Sequence, residues 1–254
     1  LTAAGAHGET GDITDPGPVT YLPGRNTLWK EEFKKKGDPA MFLNEAINQA
    51  FGATKRHTYL EIGVAAGRTF LVIDAGLKIG VDPIAPSSEV AAALGPDIRY
   101  YQTTSDDFFA EQAGILDAPG LDFAFIDGLH TYAQSLQDVE NCLRYLNRSG
   151  LIVMHDCNPT TVGLTQSGCS GDVWKTIVHL RSTRRDLGVF VLNFDYGLGF
   201  VYYGASENRL DFTPEAIAQM TFADLDPQRE SLLNLKPAGY FGSFLSAFAN
   251  GKSD

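Results

Sequence analysis

One stretch limits what this chain can fold into more than any other: Tyr59-Leu60-Glu61-Ile62-Gly63-Val64-Ala65-Ala66-Gly67-Arg68-Thr69. Tyr59 to Ile62 is a short, mostly apolar run of the kind that forms a buried parallel strand. Gly63 and Gly67 bracket a loop of small residues, where the missing Cβ atoms let the backbone turn sharply and a ligand approach closely. Thr69 and the run Phe70-Leu71-Val72-Ile73 then predict a helix, Arg68–Leu77, whose first N–H groups face the loop. Such a strand–loop–helix holds a nucleotide-like ligand at the carboxyl end of the strand. Taken alone, it equally describes a tight turn with no ligand.

The rest of the chain supplies the context. Alternation of strand and helix patterns begins near Arg56. Strands are predicted at Thr58–Gly63, Ile79–Val81, Ile98–Gln102, Leu121–Ile126 and Leu151–Met154. Helices are predicted from Ser87 to Leu94, after Thr104-Ser105-Asp106, and from His130 or Thr131 onward, with Tyr132, Leu136, Val139 and Leu143 at helical spacing and Asn147 to Gly150 as its stop. This order implies a parallel sheet covered on both faces. A helix from Asp172 follows, then strands Val189–Phe194 and Gly199–Tyr203 around Asp195-Tyr196-Gly197-Leu198, which reads as an antiparallel hairpin. Residues 1–26, rich in Gly, Pro, Thr and Asp, read as an arm, followed by short helices near 29–36 and 40–51. Beyond Gly204, Phe212 to Ala223 reads as helical. The aromatic stretch Leu232–Phe248 packs on the core, covers the site or joins a second copy. The expected division is 1–55 (arm and helices, a lid), 56–204 (core) and 205–254 (C-terminal extension, a lid or an oligomer contact).

Composition excludes some classes. A formal charge of −11 and a pI near 4.8 argue against a broad nucleic-acid surface, which needs clustered Lys and Arg. No apolar run approaches the roughly 18–20 residues of a membrane span. No signal peptide is read. Three scattered cysteines fit a reducing, cytoplasmic setting rather than a disulfide framework.

The candidate functional residues sit at predicted strand ends. Asp82 ends the second strand, where a carboxylate can accept both hydroxyls of a ribose, or simply form a turn before Pro83. Ser105 and Asp106 follow the third strand and are also good helix caps. Asp127, Gly128, His130 and Tyr132 follow the fourth, and His155 and Asp156 end the fifth. Asp127, His130, His155 and Asp156 could therefore surround one pocket, with His130 and His155 able to move protons near neutral pH.

The Glu61-x-Gly63-x-x-x-Gly67 pattern resembles motif I of the class I S-adenosylmethionine (SAM) dependent methyltransferases. Asp127-Gly128-Leu129-His130-Thr131-Tyr132 resembles the Asp-Gly-x-His-x-Tyr motif of the subfamily containing cephalosporin-biosynthesis and macrolide sugar O-methyltransferases. With Gly150 to Asp156, the likeness covers roughly residues 57–160. It implies an α/β, Rossmann-like fold: a seven-stranded, mostly parallel sheet with an antiparallel last strand, order 3-2-1-4-5-7-6, and helices on both faces. It also implies SAM as cofactor, framed by Glu61, Gly63, Ala65, Gly67 and Thr69, with Asp82 on the ribose, Ser105 and Asp106 at the adenine, and Asp127 at the methionine end or on a metal.

The implied activity is methyl transfer to a hydroxyl of a small molecule, a sugar or another secondary metabolite, with His130 the leading base, assisted by Asp127 and His155. Asp127 and Asp156 match the Mg²⁺ ligands of such relatives. The third position departs from them: His155 stands where macrolide relatives have an acid, and Cys157 where the catechol enzyme has an amide. Mg²⁺ prefers oxygen, and a softer dication tolerates His155, so metal dependence is left open. A SAM-binding protein without catalysis and a nicotinamide-dependent Rossmann oxidoreductase are the alternatives. The latter predicts a G-x-G-x-x-G loop, which the chain lacks. A homo-oligomer is also compatible with the aromatic tail.

Overall fold

A computed structural model describes residues 43–44 and 57–250, all within the unit Gly37–Asp254. The arm at 1–26 and the helix at 29–36 lie outside the described residues, as does the helix at 40–51 apart from Leu43 and Asn44.

The apolar runs form one sheet of eight strands: β1 (Thr58–Ile62), β2 (Leu77–Val81), β3 (Ile98–Tyr101), β4 (Leu121–Ile126), β5 (Leu146–Met154), β6 (Leu187–Asn193), β7 (Leu198–Tyr203) and β8 (Leu235–Pro237). Their order is β3-β2-β1-β4-β5-β7-β6-β8. Strand β7 runs antiparallel to both β5 and β6, and the other pairs are parallel. Chain order reverses between β1 and β4, and at such a point the βα loops part and open a crevice at the carboxyl edge.

The eighth strand departs from the expected seven. It pairs through only Leu235, Lys236 and Pro237 with β6, covering what would otherwise be an unpaired edge.

Nine α-helices accompany the sheet among the described residues: α1 (Arg68–Val72), α2 (Ser88–Ala93), α3 (Ser105–Asp107), α4 (Tyr132–Tyr145), α5 (Trp174–Thr183), α6 (Pro214–Gln219), α7 (Phe222–Leu225), α8 (Arg229–Leu233) and α9 (Tyr240–Asn250). None is long and apolar enough to cross a membrane.

Alternation along each strand splits the core into two faces. Leu60, Ile62, Ala124, Ile126 and Ile152 pack with Val139, Cys142, Trp174, Ile177 and Val178 of α4 and α5. Tyr59, Phe123, Phe125, Leu151, Val153, Phe190 and Phe200 face the other way, toward Leu43, Phe70 and α9. There Phe190 and Phe200 stack at 4.9 Å, and Phe244 closes over them at 4.8 and 5.7 Å. The aromatic tail is thus part of the core.

Four local expectations shift. Helix α1 stops at Val72 rather than Leu77, because the buried Lys78 ammonium donates to the carbonyls of Phe70 (2.7 Å) and Ile73 (3.1 Å). Asn147 to Gly150 do not separate helix from strand but lie within β5. Between Leu121 and Phe123 of β4 the partner strand advances from Leu146 to Leu151, an irregularity that absorbs the turn-forming residues. Asn147 donates to Asp122 Oδ1 at 2.8 Å across it. The helix expected over 212–223 divides into α6 and α7, because Thr221 and Asp224 form a capping box of their own. The helix expected from Asp172 starts two residues later, at Trp174.

Candidate active site

The loop after β1 is held in a shape few residues adopt. Gly63 (φ 84°), Ala65 (φ 45°) and Gly67 (φ 79°) all take left-handed conformations. Only glycine does so without a steric penalty. A Cβ on Gly63 would stand 2.0 Å from the carbonyl oxygen of Asp127, so the first loop and the Asp-Gly motif touch backbone to backbone. Asp82, 6% exposed, ties down Ala65: its carboxylate accepts the N–H of Ala65 at 2.9 Å and that of Ile84 at 2.8 Å. A carboxylate has about four acceptor positions, so Asp82 retains capacity for further donors. Ala65 and Ala66 are exposed, and the loop presents small residues outward. Helix α1, with Thr69 partly exposed in its first turn, is five residues long.

Glu61 lies on β1, two residues before Gly63. It is buried, accepts the Tyr59 hydroxyl, and lies near Lys78. Burial pushes its pKa up to about 8 against the hydrogen bond from Tyr59, the Lys78 charge and the Phe70 N–H. Ser105 and Asp106 stand at the start of α3, capped by Thr104. The amide of Gln134 on α4 reaches Ser105 Oγ (3.2 Å), Asp106 Oδ1 (3.1 Å) and Asp138 Oδ1 (3.1 Å). Gln134 was not a sequence candidate. Its position two residues after Tyr132 of the Asp-Gly-x-His-x-Tyr run is the signal that places it there.

At the ends of β4 and β5, Asp127, His130, His155 and Asp156 do converge. His130 Nε2 lies 3.2 Å from Asp127 Oδ1, and its Nδ1 lies 2.5 Å from the Cys169 carbonyl and 3.3 Å from Asp156 Oδ2. With Nδ1–H donated to that carbonyl, a neutral His130 carries its lone pair on Nε2. His155 Nδ1 lies 3.4 Å from Asp127 Oδ1 and 3.3 Å from Asp156 Oδ2. Its Nε2 meets Asp195 Oδ2 at 3.0 Å. Asp156 has φ 61°, and its Oδ1 accepts the Ser170 hydroxyl at 2.6 Å. Cys157 is buried and donates weakly to backbone carbonyls, outside the cluster.

The charges follow from this geometry. The Asp127 carboxylate raises the pKa of His130 to about 9. Burial opposes protonation of His155, but Asp127, Asp156 and Asp195 together raise its pKa to about 12. Burial likewise opposes ionisation of Asp127, and both histidines outweigh it, holding the carboxyl well below its usual range. Without a cation both histidines are imidazolium at neutral pH, and an imidazolium is not a base. Asp127, His130 and Asp156 offer ligand atoms all within 4.8 Å of one another, the separation one divalent ion can bridge. Two carboxylates with imidazole nitrogen suit such an ion.

Beside His130 a cavity of about 420 Å³ opens between the 162–172 loop, the start of α5 and the α6–α7 junction. Leu129, Val162, Trp174, Met220 and Phe222 give it apolar walls, with Lys175 and Asp172 among its polar groups. Leu129 and Val162 remain 64% and 61% exposed at this edge.

Residues 60–157 match the sequence model of the family described as a methyltransferase domain. No curated protein matches the chain. Among solved structures, a putative caffeoyl-CoA O-methyltransferase from Staphylococcus aureus aligns at 16% identity and a TM-score of 0.50, over 69% of this chain and 90% of that one. At that identity the likeness establishes the fold. An O-methyltransferase from Bacillus cereus in complex with SAH aligns at 16% identity and a TM-score of 0.47, over 65% of this chain and 80% of that one. MycE, a methyltransferase of the mycinamycin biosynthetic pathway solved with Mg and SAH, aligns at 17% and 0.46, over 65% and 49%.

The sheet order and the loop after β1 are those of a Rossmann-like methyltransferase fold. The likeness to the methyltransferase-domain model is confined to residues 60–157, the stretch that runs from β1 to the end of β5.

Proposed function

We propose that this chain transfers a methyl group from SAM to a hydroxyl of a small molecule, assisted by a divalent cation. The observation that carries the reading is the convergence of Asp127, His130, His155 and Asp156 beside the loop that Gly63 presses against Asp127. The residues fit such ligands: the loop is a small-residue cradle that a Cβ at Gly63 would destroy, and the cluster is a mixed carboxylate–imidazole donor set.

SAM supplies a methyl already bonded to a positive sulfur, and a dication supplies Lewis acidity that lowers the pKa of an acceptor hydroxyl. The chain's own residues align and deprotonate. The Gly63–Gly67 backbone and Asp82 seat the methionine and ribose ends, and Gln134 fixes Ser105 and Asp106 where the adenine edge arrives. Asp127 and Asp156 would hold a divalent cation. With a dication bound there, His130 would lose its proton more readily, and its Nε2 would take the proton of the acceptor hydroxyl. The cavity beside His130 receives the body of the acceptor. Its apolar walls favour an acceptor with an apolar or aromatic body, and a sugar would enter on such a body. The measurement is transfer of labelled methyl from SAM to a panel of hydroxylated small molecules, with and without chelator. Transfer lost in chelator and in His130→Ala supports the reading, whereas transfer indifferent to chelator removes the cation from it.

A further inference from the structure

The two histidines of the cluster are held differently, and the difference divides their work. His130 lines the cavity and is tethered through Nδ1 to a backbone carbonyl, with Nε2 toward Asp127. His155 does not line that cavity and is only 14% exposed. Its Nδ1 faces the same two carboxylate oxygens, Asp127 Oδ1 and Asp156 Oδ2, at 3.4 and 3.3 Å. Its other nitrogen is taken by Asp195, 40 residues away on the β6–β7 hairpin. That hairpin is bolted to the end of β5 by two backbone bonds, Cys157 N–H to Gly197 O (3.0 Å) and Asn158 N–H to Tyr196 O (2.7 Å). A Cβ on Gly197 would stand 2.5 Å from the Asn158 nitrogen, so the two loops touch. A ligating imidazole typically donates its second N–H to a carboxylate, which fixes the ring and strengthens it as a donor.

Resting on the cation-assisted reading, we propose that His155 is the nitrogen ligand of the cation, positioned by Asp195. The site then takes a first-row transition dication in preference to Mg²⁺, with His130 kept free as the base. An imidazole in the set favours the transition ions, whereas Mg²⁺ demands oxygen and retains its waters. Asp195 has φ 52°, a conformation Asn shares readily, so Asp195→Asn changes the acceptor without straining the turn.

The test uses the full chain, freed of metal, titrated with Co²⁺ and with Mg²⁺ by calorimetry. The visible spectrum of bound Co²⁺ reports nitrogen ligation. SAH binding and thermal midpoints verify that each variant folds. The wild type is expected to bind Co²⁺ tighter than Mg²⁺ by on the order of tenfold or more. His155→Glu should shift the Co²⁺ bands to longer wavelength and narrow the preference. His130→Ala should leave the spectrum unchanged. Asp195→Asn should weaken Co²⁺ about tenfold with little effect on Mg²⁺.

A spectrum that responds to His130→Ala and not to His155→Glu overturns the assignment, as does equal binding of the two ions by the wild type. Either result leaves cation-assisted transfer standing, because the chelator assay reads that separately. Absence of any divalent binding by folded protein overturns both.

Discussion

Asp82 shows how a single side chain can fix the geometry of a loop. Its carboxylate holds the N–H of Ala65 in a left-handed turn, a conformation that costs a residue with a Cβ roughly 1–2 kcal/mol. The geometry of the loop thus depends on Asp82 and on the two glycines together. Gly63→Ala drives a Cβ into the Asp127 carbonyl, and the loop must move away from the β4 end. Calorimetric titration should show SAH affinity falling at least about 100-fold, or roughly 3 kcal/mol. An unchanged affinity would mean that the loop does not seat the cofactor.

Glu61 gives the second residue-scale expectation. Its pKa in the folded chain is about 8 against an ordinary 4.5, so between those values the folded state holds a proton that the unfolded state has released. Its contribution to stability is therefore full below about pH 4.5 and lost as pH rises through 8. Glu61→Gln cannot ionise and keeps a partner for Tyr59. Melting curves across this range should show the wild type losing stability relative to the variant, and parallel curves would contradict a buried, neutral Glu61.

At the scale of elements, the sequence was legible wherever short-range pattern decides the outcome. The apolar runs at Tyr59, Ile79, Leu121 and Leu151 became strands, and Asp127-Gly128-Leu129-His130-Thr131-Tyr132 became a strand end followed by a capped helix. Thr131 accepts the Gln134 N–H at the start of α4, and that helix also carries Gln134 to Ser105 and Asp106. Thr131→Ala should therefore cost about 1 kcal/mol in denaturant unfolding. A loss near zero would show that the Asp172 carboxylate, which accepts the Tyr132 N–H at 2.6 Å, caps the helix alone.

What could not be read depended on tertiary partners. Lys78 cuts α1 short from across the turn, and Asn147 looks like a stop because its cross-strand partner Asp122 lies 25 residues earlier. Strand β8 has three residues, one of them Pro237, too little pattern to register. Asp195 looks like any hairpin turn residue until β7 inserts beside β5 and brings it to His155.

For the whole molecule, the C-terminal extension is structural as well as lateral. β8 covers the free edge of β6, and α9 lays Phe241, Phe244 and Leu245 over Phe190 and Phe200. Phe244→Ala should cost about 3–5 kcal/mol in chemical denaturation. A loss below about 1 kcal/mol would show that the aromatic layer is dispensable. The same extension supplies Met220 and Phe222 to the cavity wall, so the part of the chain outside the matched stretch both steadies the fold and lines the cavity.

Because β7 lies between β5 and β6 in the sheet, the hairpin can dock only after both its strands have left the ribosome. A nascent chain that has emerged only as far as α5 already contains Asp127, His130 and Asp156, which face His155 Nδ1 or lie beside it, but not Asp195, the partner of its Nε2. The centre is completed by a contact that closes late, across a long loop, and such contacts are slow to form. The full set of contacts on His155 is thus acquired during maturation of the chain, when the hairpin closes and brings Asp195 to its Nε2.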